Sequence, residues 1–222
     1  MNRTTIVVAA VAILASAGCS KKELIAQKDA QIADLQGDVA ALQAEVDQQK
    51  RMNEDLNRQL ATAQEEKQVL MVEKENLTQI TLDGAATFPT ASAELSADGK
   101  SIIDQIWGVV SQYPDRVVLI EGYADNRPIA PSYRWKYSSN WELSSARAHA
   151  VLHYIVNQHD ADASRLAAVG FGDNDPVADN GTPEGWAQNR RVVITIGGAK
   201  AMRDVISRRN LESPSQENVG GR

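Results

Sequence analysis

Asp125 and Arg147 are opposite charges, each where charge is uncommon. Asp125 closes a largely apolar run, VVLIEGYAD from Val117, that reads as a buried strand ending in a turn. Arg147 lies in the stretch Trp141 to Ile155, which reads as a helix, four residues after Leu143 and four before Val151. That spacing puts it on the stripe that should face the core. An unpaired buried charge is costly, so each residue needs a partner. A carboxylate takes an ammonium, and a guanidinium grips a carboxylate through two parallel hydrogen bonds. Together they suit a ligand carrying both signs; alternatively they pair only with each other.

The elements that must position them form a recognisable order. Ile80–Leu82 is a short strand, and Ser96 or Asp98 can cap a helix through Ile102, Ile103, Ile106, Val109 and Val110, ending near Pro114. Arg116 to Glu121 is the central strand, followed by a two-proline loop from Asn126 to Ser138. Ser139 and Glu142 have the spacing of a capping box for a helix running to about Gln158. Arg165 to Gly170 is a strand, Pro183 to Asn189 a helical turn, and Arg191 to Ile196 a last strand. This β-α-β-α-β-β order predicts an α+β domain over 79–198, with helices on one face of a mixed sheet. Asp125 then sits at the carboxyl end of a strand, where open α/β sheets place ligands. The tail, 199–222, should begin with a helical turn or two around Met202, Val205 and Ile206 and be disordered from Ser213.

Residues 19–78 read differently. From Lys21 to Thr78 there is no proline and one glycine, and Ala, Gln, Glu, Lys and Leu abound. A heptad register puts Ile25, Ile32, Val39, Val46, Asn53, Leu60, Lys67 and Lys74 at a, and Lys28, Leu35, Leu42, Gln49, Leu56, Ala63, Leu70 and Leu77 at d. Eleven of these sixteen are apolar, which predicts a long α-helical coiled coil. β-Branched residues at a, Leu at d and a lone Asn53 favour a parallel homodimer, and Lys67 and Lys74 predict a seam that loosens toward its end. A single helix packed on its own domain is the competing reading. About 57 helical residues would reach ~85 Å, the length of a spacer.

Composition narrows the function classes. The net charge of −6 becomes −7 without Arg3 and argues against nucleic acid. The single cysteine excludes an intrachain disulfide. It follows one basic residue, Arg3, the ten-residue apolar run Ile6–Ala15 and the small residues Ser16, Ala17 and Gly18. Ten residues cannot span a bilayer of ~30 Å hydrocarbon, so 1–18 reads as a secretory signal. With Cys19 directly after it, the segment resembles a bacterial lipoprotein signal, although Ser16 stands where Leu is preferred. The resemblance implies lipidation of Cys19, and Ser20 rather than Asp implies sorting to the outer membrane, facing the periplasm.

Longer blocks carry a second resemblance. EGYADNRPI from Glu121 and SNWELSSARA from Ser139 are similar to the OmpA-like C-terminal domain, above all the MotB branch. Leu166, GFG from Gly170, PVADN from Pro176, TPEG from Thr182 and NRRV from Asn189 continue the match in order, so it covers about Phe88 to Ile196. The resemblance implies a non-enzymatic domain that binds peptidoglycan through the diaminopimelate of its stem peptide. It implies Asp125 and Arg147 as the ligand-gripping residues, Asn140 and Leu143 as pocket lining, and Arg190, with Tyr123 and Ala124 beside Asp125, in the same group. Ala124 replaces the family's usual Thr, and Trp186 a common Arg.

Other constellations are weaker. Tyr133, Trp135 and Tyr137 alternate before the second helix and form either a lid or, the reading adopted, a cover for the domain edge. His149 and His153 are i, i+4 on a helix but lack a third metal ligand. Asp173, Asp175 and Asp179 miss the calcium-loop spacing and read as turn residues. No metal, cofactor or catalytic group is therefore expected. The expected function is that of an outer-membrane lipoprotein tethering the membrane to peptidoglycan. The alternatives are a MotB-like motor- or stator-associated anchor, against which stands an apolar run without an acidic residue, and a peptidoglycan hydrolase.

Overall fold

The computed structural model describes the backbone of residues 3–74 and 76–212 and the side chains of 21–74 and 76–207. The side chains of the expected signal and of Cys19, and the disorder expected from residue 213, lie outside what is described. Two compact units divide the chain, Met1–Gln48 and Gln49–Arg222. Helix α1 (Arg3–Gln59) supplies the first unit and opens the second. Among the described residues no helix is long and apolar enough to cross a membrane.

In the first unit the heptad residues Ile25, Ile32, Leu35, Val39, Leu42 and Val46 are all exposed along α1. From Gln49 onward the same stripe is buried. Met52, Leu56 and Leu60 join the core of the second unit. Asn53, expected to specify a dimer, is instead held by Thr78 Oγ1 and by Gln49 Nε2 at 3.2 Å. Gln49 Nε2 also donates to Thr78 Oγ1 at 2.6 Å.

The expected helix to Thr78 is therefore too long. After α1 comes the short helix α2 (Ala61–Glu65), then a hairpin of β1 (Val69–Lys74) and β2 (Leu77–Asp83). Lys67, with φ of 59°, sits in the left-handed region where the chain turns into β1. Val69 and Met71 face the core, whereas Leu70, assigned to the seam, is exposed. A 3.5-residue apolar repeat looks the same whether the helix buries its stripe on a second copy or on its own sheet.

The second unit continues with α3 (Gly84–Thr87), α4 (Ala97–Val110), β3 (Arg116–Gly122), α5 (Asn140–His159), β4 (Leu166–Gly170), α6 (Pro183–Asn189), β5 (Arg191–Gly198) and α7 (Ala199–Glu212). The sheet order is β1-β2-β5-β3-β4, with β3 and β4 parallel and the other pairs antiparallel. This is the expected α+β mixed sheet, enlarged by β1. Val118, Ile120, Val192, Ile194 and Ile196 meet the end of α1, α4 and α5 in one core. The alternate residues Leu119, Val193 and Thr195 are buried outside that core, and α7, with Met202 buried, contacts β3 and β5 there. A helix thus covers the second face as well, longer than the turn or two expected.

Candidate ligand-binding site

Helix α5 is fixed at its start and along its underside. Ser139 caps it, its Oγ accepting from Trp141 N at 3.1 Å and donating to the Glu142 carboxylate, so the two expected capping-box residues meet, here side chain to side chain. Gly122 and Gly170 lie beneath it, where a Cβ would collide with Ser144 O and with Ser145. The helix can therefore approach the carboxyl ends of β3 and β4 closely. Ser144 Oγ accepts from Gly172 N at 2.9 Å and locks that approach.

The same end of β3 carries Asp125. A cavity of about 560 Å3 opens there, and Ala124, Asp125, Asn140, Leu143, Arg147 and Arg190 all line it. Six of the seven ligand-site residues expected from sequence thus converge. Tyr123 does not line it: its ring is buried, stacked on Phe171 at 5.2 Å and covered by the Arg191 guanidinium at 3.8 Å. One residue before Ala124, it points away from the cavity and supports the site from behind.

Asp125 and Arg147, each only 5 % exposed, form no ion pair with each other. Asp125 Oδ2 accepts from Arg127 Nε and Nη2 at 3.1 and 2.8 Å and from Arg190 Nη1 at 2.6 Å. Oδ1 accepts from Arg127 N at 3.0 Å, an Asx-type turn. Burial pushes the carboxyl up, but these bonds outweigh it and hold Asp125 below the usual carboxylate range. Asn140 Nδ2 ties the turn in place, donating to the Asp125 and Arg127 carbonyls at 3.0 Å each.

Arg147 is positioned by its stem and one nitrogen. Nε donates to Ser92 O at 2.9 Å, and the guanidinium stands 5.2 Å from the Phe88 ring. Burial, then the positive charge of Arg190, pushes it down to about 10, so it is still a cation at neutral pH. Its Nη groups make no hydrogen bond to any described residue. The charged lining residues are Asp125 against Arg127, Arg147 and Arg190, a surplus of two positive charges (3 − 1). That surplus suits an anion, and the Asp125 carboxylate suits a cationic group beside it.

Sequence reasoning missed Arg127, although Asp125 followed two residues later by Arg and then Pro is a turn signal. It also missed Phe88 and the Ser92 carbonyl, which only tertiary folding brings to Arg147. Trp186, a departure from the family pattern, lies 4.6 Å from the Arg127 guanidinium and donates Nε1 to Asn180 O at 2.5 Å. Tyr133 and Tyr137 line the cavity rather than merely covering the domain edge, while Trp135 is 82 % exposed. His149 and His153 lie with ring centroids 6.4 Å apart, and His149 Nδ1 is bonded to Ser145 O at 2.7 Å. Asp179 Oδ1 accepts from Gly181 N at 2.8 Å, as a turn residue does.

Comparison with known proteins places this geometry. The model of the OmpA family matches residues 87–190. YtxE, an uncharacterized protein of Bacillus subtilis, is 32 % identical over 154 residues, 69 % of this chain and 62 % of YtxE. The peptidoglycan-associated lipoprotein of Agrobacterium fabrum is 31 % identical over 112 residues, 50 % of this chain and 59 % of that protein. The chain thus spans less than two thirds of the length of these relatives. Among solved structures, the cell wall anchor of the T6SS from Pseudomonas aeruginosa superposes with a TM-score of 0.59 at 35 % identity. That match covers 64 % of this chain and 96 % of the anchor. The fold and the sequence match agree: through residues 87–190 the chain belongs to the OmpA family.

Proposed function

We propose that the chain binds peptidoglycan non-covalently, through the diaminopimelate of the stem peptide, and tethers a membrane to the cell wall. The observation that carries this reading is Arg147: a buried cation lining a cavity, without a carboxylate partner among the described residues and with its Nη fork unspent. A ligand carboxylate supplies that partner through two parallel bonds. Asp125 Oδ1 accepts one bond within the chain and has capacity for another, from the ligand's ammonium. Diaminopimelate carries both groups on one end of its side chain. The names of the lipoprotein from Agrobacterium fabrum and of the Pseudomonas aeruginosa anchor point the same way. The anchor itself is a lipid on Cys19 in the outer membrane, and the exposed seam of α1 forms a parallel homodimer.

Sedimentation with purified sacculi tests the binding. The wild type pellets without releasing soluble fragments, and Asp125→Ala or Arg147→Ala stays in solution while remaining folded by circular dichroism. Pelleting of both variants at the wild-type level overturns the site, and release of fragments overturns binding without cleavage.

A further inference from the structure

The cavity holds more cationic donors than one zwitterionic group uses. A ligand end with one carboxylate and one ammonium brings no net charge, so the surplus of two positive charges in the lining stays uncompensated. Arg147 takes the carboxylate of that end, which leaves Arg127 and Arg190. Both donate to a single oxygen, Asp125 Oδ2, from 2.8 and 2.6 Å, so two guanidinium groups stand side by side on one negative charge. Their spare donors can be named. Arg127 spends Nε and Nη2 on that oxygen and keeps Nη1, whereas Arg190 spends Nη1 and keeps Nε and Nη2. None of the three spare nitrogens is bonded to a described residue.

Arg127 is held ready although its side chain is 51 % exposed. The Trp186 ring lies 4.6 Å from its guanidinium, and Nε1 of that indole is itself fixed on Asn180 O at 2.5 Å. The Arg127 backbone is pinned as well, its N–H on Asp125 Oδ1 and its carbonyl under Asn140 Nδ2. A side chain ordered before the ligand arrives loses little freedom on binding. Trp186 stands where the family commonly has an arginine; here the cation is at 127 and the indole holds it. Two adjacent guanidinium groups with spare donors suit a carboxylate and discriminate against its neutral amide, whose NH2 would face donors. We propose that Arg127, with Arg190 beside it, is a subsite for a second carboxylate of the stem peptide, so that the chain selects stems in which this carboxylate is free over stems in which it is amidated. The assignment rests on the stem-peptide reading of Asp125 and Arg147. Such a peptide offers the same chemistry on either side of diaminopimelate: the α-carboxylate of the γ-linked glutamate before it, and the terminal carboxylate of the alanine after it.

The test is titration calorimetry of the full chain with three soluble probes: the alanine–glutamate–diaminopimelate–alanine tetrapeptide, the same peptide amidated at the glutamate, and the same peptide amidated at the terminal alanine. Work at about 0.15 M salt, where charges are screened beyond ~8 Å, restricts the comparison to close contacts. One of the two amides should bind about tenfold more weakly than the parent, which identifies the carboxylate, and the other should match the parent. Arg127→Ala should erase the preference for acid over amide, and Arg127→Lys should keep part of it. Equal wild-type affinity for all three probes overturns the subsite. So does an equal loss from both amides, which marks diffuse attraction, or a preference that survives Arg127→Ala. Arg147→Ala separates the underlying reading: it should weaken all three probes and keep their ratio, and an undiminished affinity sinks the stem-peptide site rather than the carboxylate comparison.

Discussion

At Asp125 and Arg147 the electrostatics differ in kind. The carboxylate is satisfied within the chain, whereas the guanidinium is buried at a cost that nothing in the chain offsets in full. An arginine kept in that state contributes little to folding, so its replacement removes binding and leaves the fold standing. Asp125 behaves oppositely. Its folded pKa lies below the ordinary 3.8, so its stabilising bonds are fully present above that value and are lost as pH falls from there toward the folded value. The thermal midpoint should therefore carry this group's full contribution, unchanged with pH, between about pH 8 and 5, and drop below about pH 4. In Asp125→Asn the drop should be smaller, and calorimetric scans of both proteins from pH 8 to 2 check this. An acid limb of unchanged size in the variant would refute the assignment. Both residues were legible in the sequence because charge interrupted an apolar pattern. Arg127 and the Ser92 carbonyl were not, since one was hidden in a loop and the other is a backbone atom brought in from 55 residues away.

At the scale of elements, the site depends on how closely α5 lies on β3 and β4. Gly122→Ala would drive a Cβ into the Ser144 carbonyl, which is backbone and cannot swing aside. The expected cost is about 1–3 kcal/mol, read as a lower urea midpoint with the slope unchanged, together with weaker sacculus binding as Arg147 shifts with its helix. An unaltered midpoint would show that the helix does not need this approach. Strand and helix order from β2 to β5 was readable from periodicity and caps, Ser96 and Ser139 among them. β1 was not: Leu70 fits a d position, so the helical repeat runs through a strand unnoticed. Nor was the length of α7, whose hydrophobic residues Met202, Val205 and Ile206 suggest only a turn or two.

For the whole molecule, the free seam on α1 runs from Lys21 to Gln48, 28 residues (48 − 21 + 1) or ~42 Å, half the spacer expected. Ile32→Lys with Leu35→Lys should convert a dimer to a monomer in sedimentation equilibrium of the full chain. Retention on sacculi should fall by 10²-fold or more through lost avidity, with affinity for a soluble stem peptide unchanged. A wild type that is already monomeric would refute the seam. For the anchor, Cys19→Ser should move the protein out of the outer-membrane fraction, and unchanged fractionation would count against lipidation.

The burial of Met52, Leu56 and Leu60 also has a mechanical consequence. A pull on residues 49–60 is borne by the interior packing of the second unit, because this stretch is core rather than linker. It yields only by drawing Met52, Leu56 and Leu60 out of that core into water.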